Sequence, residues 1–402
     1  MTLELTARVR GIKPSPTLSM AAEASALRAE GRDIVDLSAG EPDFETPEHI
    51  KAAAREALAR GLTKYTAVGG TPELKDAIRE KFRRENGLTY GRNEVMASCG
   101  GKHVLYNAFQ ALFDEGDEVI VPAPYWVSYP DMLTLAGATT RVVETTPEQG
   151  FRMSVDQLEA ACGPRTKGLV LNSPSNPTGA VYSSDELRAI GKVALRRGLI
   201  VFTDDIYEHI AYEHIAEGHI ENVGTLVPDL RPRLLIVNSL SKTYAMTGWR
   251  IGYVAAPAEV ISAMTALQSQ STSNPTSIAQ AAGVEALTGP QECVGAMARE
   301  FLARRDLVLA RLGAIPGVRT AVPGGAFYVF PDVSVAFGKR GPDGVVASAD
   351  DLGTYLLRHA NVATVPGEGF GAPRHIRLSY AAPRQILEEG ITRIGDALAQ
   401  LR

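Results

Sequence analysis

Cysteine is scarce in this chain, and long apolar runs are missing from it. The 402 residues include three cysteines, Cys99, Cys162 and Cys293. Their scattered positions match no metal-binding or redox spacing and argue against a disulfide framework. No apolar run approaches the roughly 20 residues that cross a bilayer, and the first twenty residues show no secretory signal. The sequence therefore predicts a cytoplasmic protein without a membrane partner.

A strong charge of one sign is also lacking. The chain carries 41 Lys and Arg against 46 Asp and Glu, which gives a formal net charge of −5 without a block of like charge. Nucleic acid is therefore a poor partner. The seven histidines are dispersed and form no pair with metal-ligand spacing, so no metal site is predicted.

Apolar sequence is plentiful, at 45% of the residues, and from residue 95 short apolar segments alternate with amphipathic ones. The predicted strands are 118–121, 168–171, 200–203 and 234–237. The predicted helices around them are 48–60, 72–86, 103–113, 184–196 and 258–268, the first two begun by Thr46-Pro47 and Thr71-Pro72 with the threonine as cap. This alternation predicts an α/β fold in which a mostly parallel sheet lies between helices.

The last part of the chain has a different pattern. Strands near 327–330, 362–365 and 376–378 and helices 350–360 and 383–401 predict a smaller α+β domain, after a helical run 280–312 that Gly289-Pro290 interrupts. We place the boundary near residue 288, so that 46–288 form the large domain and 1–45 with 289–402 the small one. The proline-containing stretch 6–19 is expected to be an irregular arm.

A lysine turn after the apolar run 234–237 is the strongest chemical signal. Ser239 and Ser241 precede a lone lysine, Lys242, and Arg250 follows eight positions later. A lysine at the carboxyl end of a strand can be desolvated and bind a carbonyl compound covalently. Hydroxyls and a guanidinium are the groups that hold a phosphate. Together they suggest the phosphorylated aldehyde pyridoxal 5′-phosphate, although an ordinary surface lysine after a strand would have the same local sequence.

Polar side chains also follow two other predicted strands. Asn176 lies in the turn after 168–171, and Asp204 and Tyr207 follow 200–203. Because ligands bind beyond the carboxyl ends of parallel strands, the three groups could face one cleft. Asp204 could keep a pyridine nitrogen protonated, while Asn176 and Tyr207 could hydrogen-bond the phenolate oxygen of the ring. Taken singly, a plain turn and a solvated acid explain these residues equally well.

Three further candidates carry weaker signals. Gly101 and Lys102 open a helix, where free backbone N–H groups bind phosphate, but a tight turn would look the same. Trp126 could stack on the ring or be a packed aromatic. Arg377, inside an apolar strand, needs an anion: a substrate α-carboxylate or an internal ion-pair partner.

In combination these motifs resemble the fold-type I pyridoxal-phosphate-dependent aminotransferases of class I, and most closely the bacterial subgroup of aspartate aminotransferases. The likeness runs from about Lys13 to the C-terminus. It rests on motifs that occur in order along the chain: Lys13-Pro14-Ser15, Ala39-Gly40-Glu41-Pro42-Asp43-Phe44, Pro124-Tyr125-Trp126, Asn176-Pro177-Thr178-Gly179, Asp204 with Tyr207, Ser239-x-Ser241-Lys242, Met246-Thr247-Gly248-Trp249-Arg250 and Arg377-Leu378-Ser379-Tyr380. The resemblance implies the three-layer fold of these transferases.

The resemblance also implies a role for each candidate. Lys242 would hold the cofactor and move the proton at the substrate α-carbon, and Asp204 would pair with the pyridine nitrogen. The remaining implied cofactor contacts are Asn176 and Tyr207 at the phenolate oxygen, Trp126 on the ring, and Ser239, Ser241, Arg250, Gly101 and Lys102 at the phosphate. The implied contacts of the α-carboxylate are Arg377, Gly40, Trp126 and Asn176. Tyr65 would reach the phosphate of the other subunit, which implies a homodimer with shared sites. The family also has a cis peptide bond at a position like Asn176-Pro177.

The substrate is the least determined part. Some family members bind the acidic side chain with an arginine from a segment like 268–280, which here contains no basic residue. In the subgroup that the chain resembles, a lysine placed like Lys102, with hydroxyls like Ser15 and Thr17, binds the distal carboxylate instead. A position like that of Lys13 is linked to prephenate use.

The expected reaction is transfer of the amino group of L-aspartate to 2-oxoglutarate by a ping-pong mechanism, so that amino acids and 2-oxo acids are the expected ligands. An aromatic or prephenate aminotransferase is the first alternative, and a carbon–sulfur lyase on the same scaffold the second. A pyridoxal-phosphate-sensing regulator is the last, because no N-terminal extension that could house a DNA-binding module is visible.

Overall fold

A seven-stranded sheet forms the centre of the protein in the computed structural model, which describes residues 3–12, 16–214 and 220–402. In spatial order its strands are Val95–Ser98, Gly252–Ala255, Leu234–Ser239, Ile200–Asp204, Thr166–Asn172, Glu118–Ala123 and Thr139–Glu144. Gly252–Ala255 runs antiparallel to both of its neighbours, and all other neighbouring pairs are parallel. The predicted α/β fold with a mostly parallel sheet is confirmed.

The four strands predicted from apolar runs lie next to one another in the sheet. Leu234–Ser239 is buried at all six positions, as expected for a central strand of a parallel sheet. Three strands were not predicted. Thr139–Glu144 is an edge strand whose residues are mostly exposed and polar, and Val95–Ser98 and Gly252–Ala255 have only four residues each.

Helices cover the sheet, and most begin and end close to their predicted bounds. The helices of this region are Glu48–Ala59, Pro72–Asn86, Gly101–Leu112, Ser128–Leu135, Val155–Ala161, Ser184–Arg197, Val223–Leu226, Leu240–Thr243, Ala258–Ser269 and Ser277–Thr288. Thr71 caps its helix by accepting the N–H of Leu74. The same prediction for Thr46 is wrong: its hydroxyl donates to the carbonyl oxygen of Ala245 at 2.7 Å instead of capping.

The C-terminal part joins the N-terminal segment. Val35–Asp36 pairs in parallel with Val362–Ala363, and a three-stranded antiparallel sheet has the order Val365–Pro366, Ile376–Ser379, Tyr328–Val329. The helices here are Ala7–Arg10, Pro16–Ala29, Glu292–Gly313, Ala349–His359 and Arg384–Gln400, and a short hairpin joins Arg340–Gly341 to Gly344–Val345. The prediction that 6–19 forms an irregular arm is therefore wrong for the described residues of this stretch, because both of its ends are helical.

Besides a core between the sheet and the helix Gly101–Leu112, the described residues form two further large apolar cores. One packs the sheet against helices such as Pro72–Asn86 and Ser277–Thr288. The other fills the C-terminal part and also takes in Tyr207, Ile210 and Tyr212, which follow the strand Ile200–Asp204. The chain therefore passes from one core to the other directly after Asp204. Within the described ranges, none of the helices has both the length and the apolar character that crossing a membrane requires.

Candidate active site

A cavity of about 300 Å³ lies beyond the carboxyl ends of the central strands. The predicted residues that line it are Thr17, Gly40, Gly101, Lys102, Trp126, Asn176, Asp204, Tyr207, Ser241, Lys242, Arg250 and Arg377. Ser239 is buried directly behind this wall, where its Oγ is 2.8 Å from the Oγ of Ser241. Lys13 and Ser15 lie outside the described residues. The structure thus brings together candidates that are up to 360 positions apart in the sequence (Thr17 to Arg377).

Lys242 projects into this cavity from the short helix Leu240–Thr243, which follows the strand Leu234–Ser239. Its Nζ donates to the carbonyl oxygen of Gly40. Desolvation lowers the pKa of Lys242 to about 8, against an opposing effect of the Glu41 carboxylate. A substantial fraction of the amine is therefore unprotonated and nucleophilic near neutral pH.

Asp204 ends the strand Ile200–Asp204 and faces the same cavity. Burial raises the pKa of its carboxyl group to about 6, although hydrogen bonds from the Tyr129 hydroxyl and the Ile206 N–H favour the ionised form. Asn172 fixes the end of this strand, since its Nδ2 donates to the Asp204 carbonyl oxygen at 2.8 Å. A buried carboxylate of this kind is suited to a cationic partner, because a positive charge nearby would lower its pKa again.

Tyr129 is a site residue that the sequence analysis missed. It is fully buried, and its Oη donates to Asp204 Oδ2 at 2.6 Å. Its ring is edge-on to that of Trp126, with centroids 5.3 Å apart at 83°. The sequence offered one signal for Tyr129. It is three positions after Trp126, a spacing that places both side chains on the same side of a helical turn.

Replacing Tyr129 by phenylalanine is expected to raise the pKa of Asp204, because the lost hydrogen bond favoured the ionised form. The acidic limb of the pH–rate profile of the loaded enzyme should then move to higher pH by about one to two units, because a hydrogen bond to a charged group contributes roughly 1.5 to 3 kcal/mol. Profiles of kcat/KM against pH measure both effects.

Tyr182→Phe is the matched control. Tyr182 is another buried phenol of the large core, and its Oη accepts the N–H of Met153 at 2.8 Å. An acidic limb that moves equally in both variants would show that the Tyr129–Asp204 hydrogen bond has no specific effect.

One end of the cavity is suited to a phosphate group. Arg250 has a left-handed backbone conformation, with φ 57°, and its guanidinium donates to the carbonyl oxygens of Thr247 at 3.0 Å and Cys99 at 3.3 Å. No carboxylate of residues 3–12, 16–214 or 220–402 lies within ion-pair distance of it. Gly100 has φ +89°, and a Cβ there would lie 2.4 Å from Arg250 Nη2. Glycine at this position therefore allows the guanidinium to lie against the start of the helix Gly101–Leu112, whose first N–H groups have no partner within the helix.

Arg377 lies at another side of the cavity and is 2% exposed. Its guanidinium donates to Asn176 Oδ1 at 3.0 Å and to the Ser38 carbonyl oxygen at 2.8 Å. Its Nε is buried and has no hydrogen-bond partner, and within the described chain no carboxylate pairs with it. Burial lowers the pKa of Arg377, with Tyr328 acting in the opposite direction. The internal ion pair considered above is therefore not observed.

Lys102 is the third cation of the cavity, after Arg250 and Arg377, that faces no acid. Its Nζ is 5.0 Å from the centroid of the Trp126 ring, and no ion pair involves it in the parts of the chain that the structure describes. The pKa of Lys102 is lowered, mainly by desolvation and then by the charge of Arg250. Thr17 lines the same cavity, whereas Tyr65 lies outside it and is 90% exposed.

The segment 38–46 crosses the cleft and contacts several of these groups in turn. Its hydrogen bonds to residues around the cavity are, in chain order, the Ser38 carbonyl oxygen with Arg377 (2.8 Å), the Gly40 carbonyl oxygen with Lys242, Glu41 Oε2 with the Thr247 hydroxyl (2.7 Å), and Thr46 Oγ1 with the indole N–H of Trp249 (3.0 Å). Asp43 binds Arg304 of the C-terminal part at 2.7 Å. We refer to residues 38–46 as the crossing segment. It joins the Arg377 end of the cavity to the end at Thr247 and Arg250.

Comparison with known proteins assigns the chain to a class. Residues 32–394 match the family model of aminotransferase class I and II, and the chain belongs to this family. The fold and the enzyme class predicted from sequence are thereby confirmed.

Its relatives are more specific. The chain is 46% identical to the aspartate aminotransferase of Bacillus sp. strain YM-2, over 96% of this chain and 97% of that protein. It is 49% identical to the aspartate/prephenate aminotransferase of Cereibacter sphaeroides, over 95% and 96%. Among solved structures, the aspartate aminotransferase of Thermus thermophilus with maleate is similar at a TM-score of 0.91 and 46% identity, over 98% of this chain and 100% of that one.

Proposed function

We propose that this protein is an aspartate aminotransferase that moves the amino group of L-aspartate to 2-oxoglutarate. The observation that carries the proposal is the pair of cations, Arg377 and Lys102, in the cavity of Lys242. Neither has a carboxylate partner among the described residues. A dicarboxylate supplies one anion for each, and aspartate, glutamate and their 2-oxo acids are dicarboxylates.

The residues present fit pyridoxal phosphate as the cofactor. The free guanidinium of Arg250 and the helix start at Gly101 would bind its phosphate, with Ser241 beside them and Ser239 supporting Ser241. Asp204 would pair with the pyridine nitrogen, and Asn176 and Tyr207 would contact the phenolate oxygen. Trp126 would stack on the ring. When bound, the cofactor supplies a ring that withdraws electrons from the substrate α-carbon.

The chemical roles of the side chains follow from their protonation. Lys242, with a pKa of about 8, would hold the aldehyde carbon covalently until the substrate amine displaces it. The amine released in this way would move the proton from the substrate α-carbon to the former aldehyde carbon. Asp204 would keep the proton on the ring nitrogen, and the hydrogen bond from Tyr129 favours the ionised carboxylate that this requires. The orphaned Nε of Arg377 and its planar fork are suited to a substrate carboxylate.

The relatives support the choice of substrate. Those named above are called aspartate or aspartate/prephenate aminotransferases, and the Thermus thermophilus enzyme was solved with maleate, a dicarboxylate. Prephenate is our second candidate substrate, because the 49% identical relative carries both names. Turnover of prephenate at less than about 1% of the aspartate rate would remove it.

The substrate assignment is tested at Lys102. Replacing Lys102 by methionine is expected to lower kcat/KM for aspartate by about 10- to 100-fold, because a hydrogen bond to a charged group contributes roughly 1.5 to 3 kcal/mol. Phenylalanine, which has no distal carboxylate, should change by less than about threefold. Stopped-flow measurement of the cofactor absorbance with each donor gives both values.

Arg377→Lys is the matched control for this experiment. It keeps a charge but loses the planar fork, so aspartate and phenylalanine should be weakened alike, since both carry an α-carboxylate. Equal losses for the two donors in Lys102→Met would mean that Lys102 does not bind the distal carboxylate, and the aspartate assignment would be lost.

We further propose a cytoplasmic homodimer. Tyr65, the residue proposed to reach the partner's phosphate, is 90% exposed, and Leu58 and Leu62, which precede it in the chain, are 58% and 41% exposed. Sedimentation velocity of Tyr65→Phe would separate a loss of assembly from a loss of cofactor affinity.

We also propose that the domain boundary lies near residue 288, which falls between the helices Ser277–Thr288 and Glu292–Gly313.

A further inference from the structure

A buried polar cluster lies behind the lysine turn, on the side away from the cavity. Its four members, which we call the rear cluster, are Lys81, Asn86, Glu208 and Asn238. The Glu208 carboxylate accepts hydrogen bonds from Lys81 Nζ, from Asn86 Nδ2 at 3.2 Å and from Asn238 Nδ2. Lys81 is 0% and Glu208 1% exposed. Glu208 is thus a fully buried anion with partners on two separate elements, the helix Pro72–Asn86 and the strand Leu234–Ser239.

Glu208 and the next residue, His209, contact the two ends of the lysine turn. Glu208 binds the side chain of Asn238, which directly precedes Ser239. His209 Nδ1 is 3.1 Å from the hydroxyl of Thr243, which directly follows Lys242. The same short segment begins with Asp204. One dipeptide therefore connects the acid of the site to both flanks of its lysine.

The charges within the cluster favour an ionised Glu208. Burial alone would raise its pKa, but the Lys81 ammonium and His209 outweigh that effect and hold the pKa of Glu208 below its ordinary value. Asp205 nearby behaves oppositely: burial, and then the charge of Glu208, raise its pKa well above the ordinary range. Glu85, Glu208 and His209 offer ligand atoms within 4.8 Å of one another, but Lys81 lies among them and supplies the positive charge that a metal would bring.

We infer that Glu208 is a positioning residue of the active site: its carboxylate, anchored on Lys81, fixes the lysine turn relative to Asp204. The inference rests on the proposed function. Lys242 and Asp204 must act on opposite parts of one small ring, and a displacement of about 1 Å can reduce a rate by about 100-fold. Glu208 touches neither substrate nor cofactor, so its effect acts through the turn.

Glu208→Gln tests this inference in the holoenzyme. The variant replaces one acceptor oxygen by an NH₂ group that faces the donors Lys81 and Asn238. We expect kcat per cofactor-loaded site to fall about tenfold and the cofactor to dissociate several-fold faster. KM for aspartate should change by less than about twofold, because Arg377 and Lys102 do not contact the rear cluster. A merely structural role would lower the melting temperature and leave kcat per loaded site unchanged.

Two further variants separate stability from positioning. Lys81→Met/Glu208→Gln removes both charges of the Lys81–Glu208 pair and leaves Glu85, which also lies 3.5 Å from Lys81 Nζ, with His209 at 3.0 Å. This double variant should recover the melting temperature lost in Glu208→Gln without recovering kcat. Glu118→Gln is the matched control. Glu118 is a buried acid that pairs with Arg165 at 2.6 Å, and it lies at the amino end of the strand Glu118–Ala123, away from the cavity. The kcat of this variant should stay at the wild-type value.

The inference is overturned if kcat per loaded site in Glu208→Gln stays within twofold of wild type, or if the double variant restores it. A wild-type enzyme that does not turn over aspartate would instead overturn the proposed function. Cofactor dissociation is measured without substrate, so it still tests the role of Glu208 in that case.

Discussion

Replacing Lys242 by alanine is expected to lower kcat for transamination by at least about 10⁴-fold. General acid–base catalysis alone contributes roughly 10² to 10⁴, and this amine is also the proposed covalent anchor of the cofactor. Lys242 is desolvated and lies beside the Gly40 carbonyl oxygen. The other lysine among the residues that line the cavity is Lys102, which we assign to the substrate, so no lysine is left to replace Lys242. Steady-state rates with aspartate and 2-oxoglutarate measure the loss.

Lys192→Ala is the control for Lys242→Ala, because Lys192 is an exposed lysine on the helix Ser184–Arg197. Borohydride treatment followed by digestion and mass spectrometry should find the mass of the cofactor on the peptide that contains Lys242, in wild type and in Lys192→Ala alike. Finding that mass on another peptide, or more than a tenth of the wild-type rate in Lys242→Ala, would contradict the assignment.

Asp204→Asn is expected to lower kcat by about 10³-fold, within the range of single preorganised electrostatic contacts, because an amide cannot balance a proton on the ring nitrogen. The geometry should survive, since asparagine has nearly the same shape and can still accept the hydrogen bond of Tyr129. Loss of rate without loss of cofactor content is therefore the expected pattern. A rate within tenfold of wild type would show that Asp204 does not face the ring nitrogen.

The same substitution should stabilise the cofactor-free protein. Burial raises the pKa of Asp204 from 3.8 to about 6, so between these values the folded state binds more protons than the unfolded state. Stability then falls as pH rises through that window, and above pH 6 the folded chain bears the full free-energy cost of a buried, ionised Asp204 carboxylate. At about 1.4 kcal/mol for each pH unit this cost is about 3 kcal/mol.

Asparagine does not ionise, so cofactor-free Asp204→Asn should gain about 1 to 3 kcal/mol at pH 8 and much less at pH 4. Urea unfolding at both pH values measures the gain. An active-site acid that destabilises the empty fold is the usual form of a trade-off between stability and activity. An equal change at both pH values would mean that the buried charge is not its cause.

Where polar residues follow strand ends, the sequence predicted which side chains the structure brings to one cavity. Asn176, Asp204 and Lys242 come directly after apolar strands, and the carboxyl ends of parallel strands meet at one edge of the sheet. Apolar patterning is a local property, so four buried strands and most of the helices were predicted close to their bounds. The buried strands Val95–Ser98 and Gly252–Ala255, with only four residues each, were missed. The exposed edge strand Thr139–Glu144 has no such pattern and was missed.

What could not be predicted depends on contacts between distant segments. Tyr129 is a buried tyrosine like several others until its hydroxyl is seen beside Asp204, 75 positions away. Lys81 and Glu208 look like surface charges in the sequence, because nothing local shows that each neutralises the other. Thr46 and Thr71 both precede a proline at a helix start, and only the tertiary contact with Ala245 distinguishes them.

The crossing segment has a consequence for spectroscopy. The chain contains two tryptophans, and they report on different events. Trp126 lines the cavity, so energy transfer to a bound chromophore would quench its fluorescence. The indole N–H of Trp249 is hydrogen-bonded to Thr46, so its emission wavelength depends on whether residues 38–46 stay in place. The intrinsic emission of the protein thus combines a signal of occupancy with a signal of how the cleft is held together.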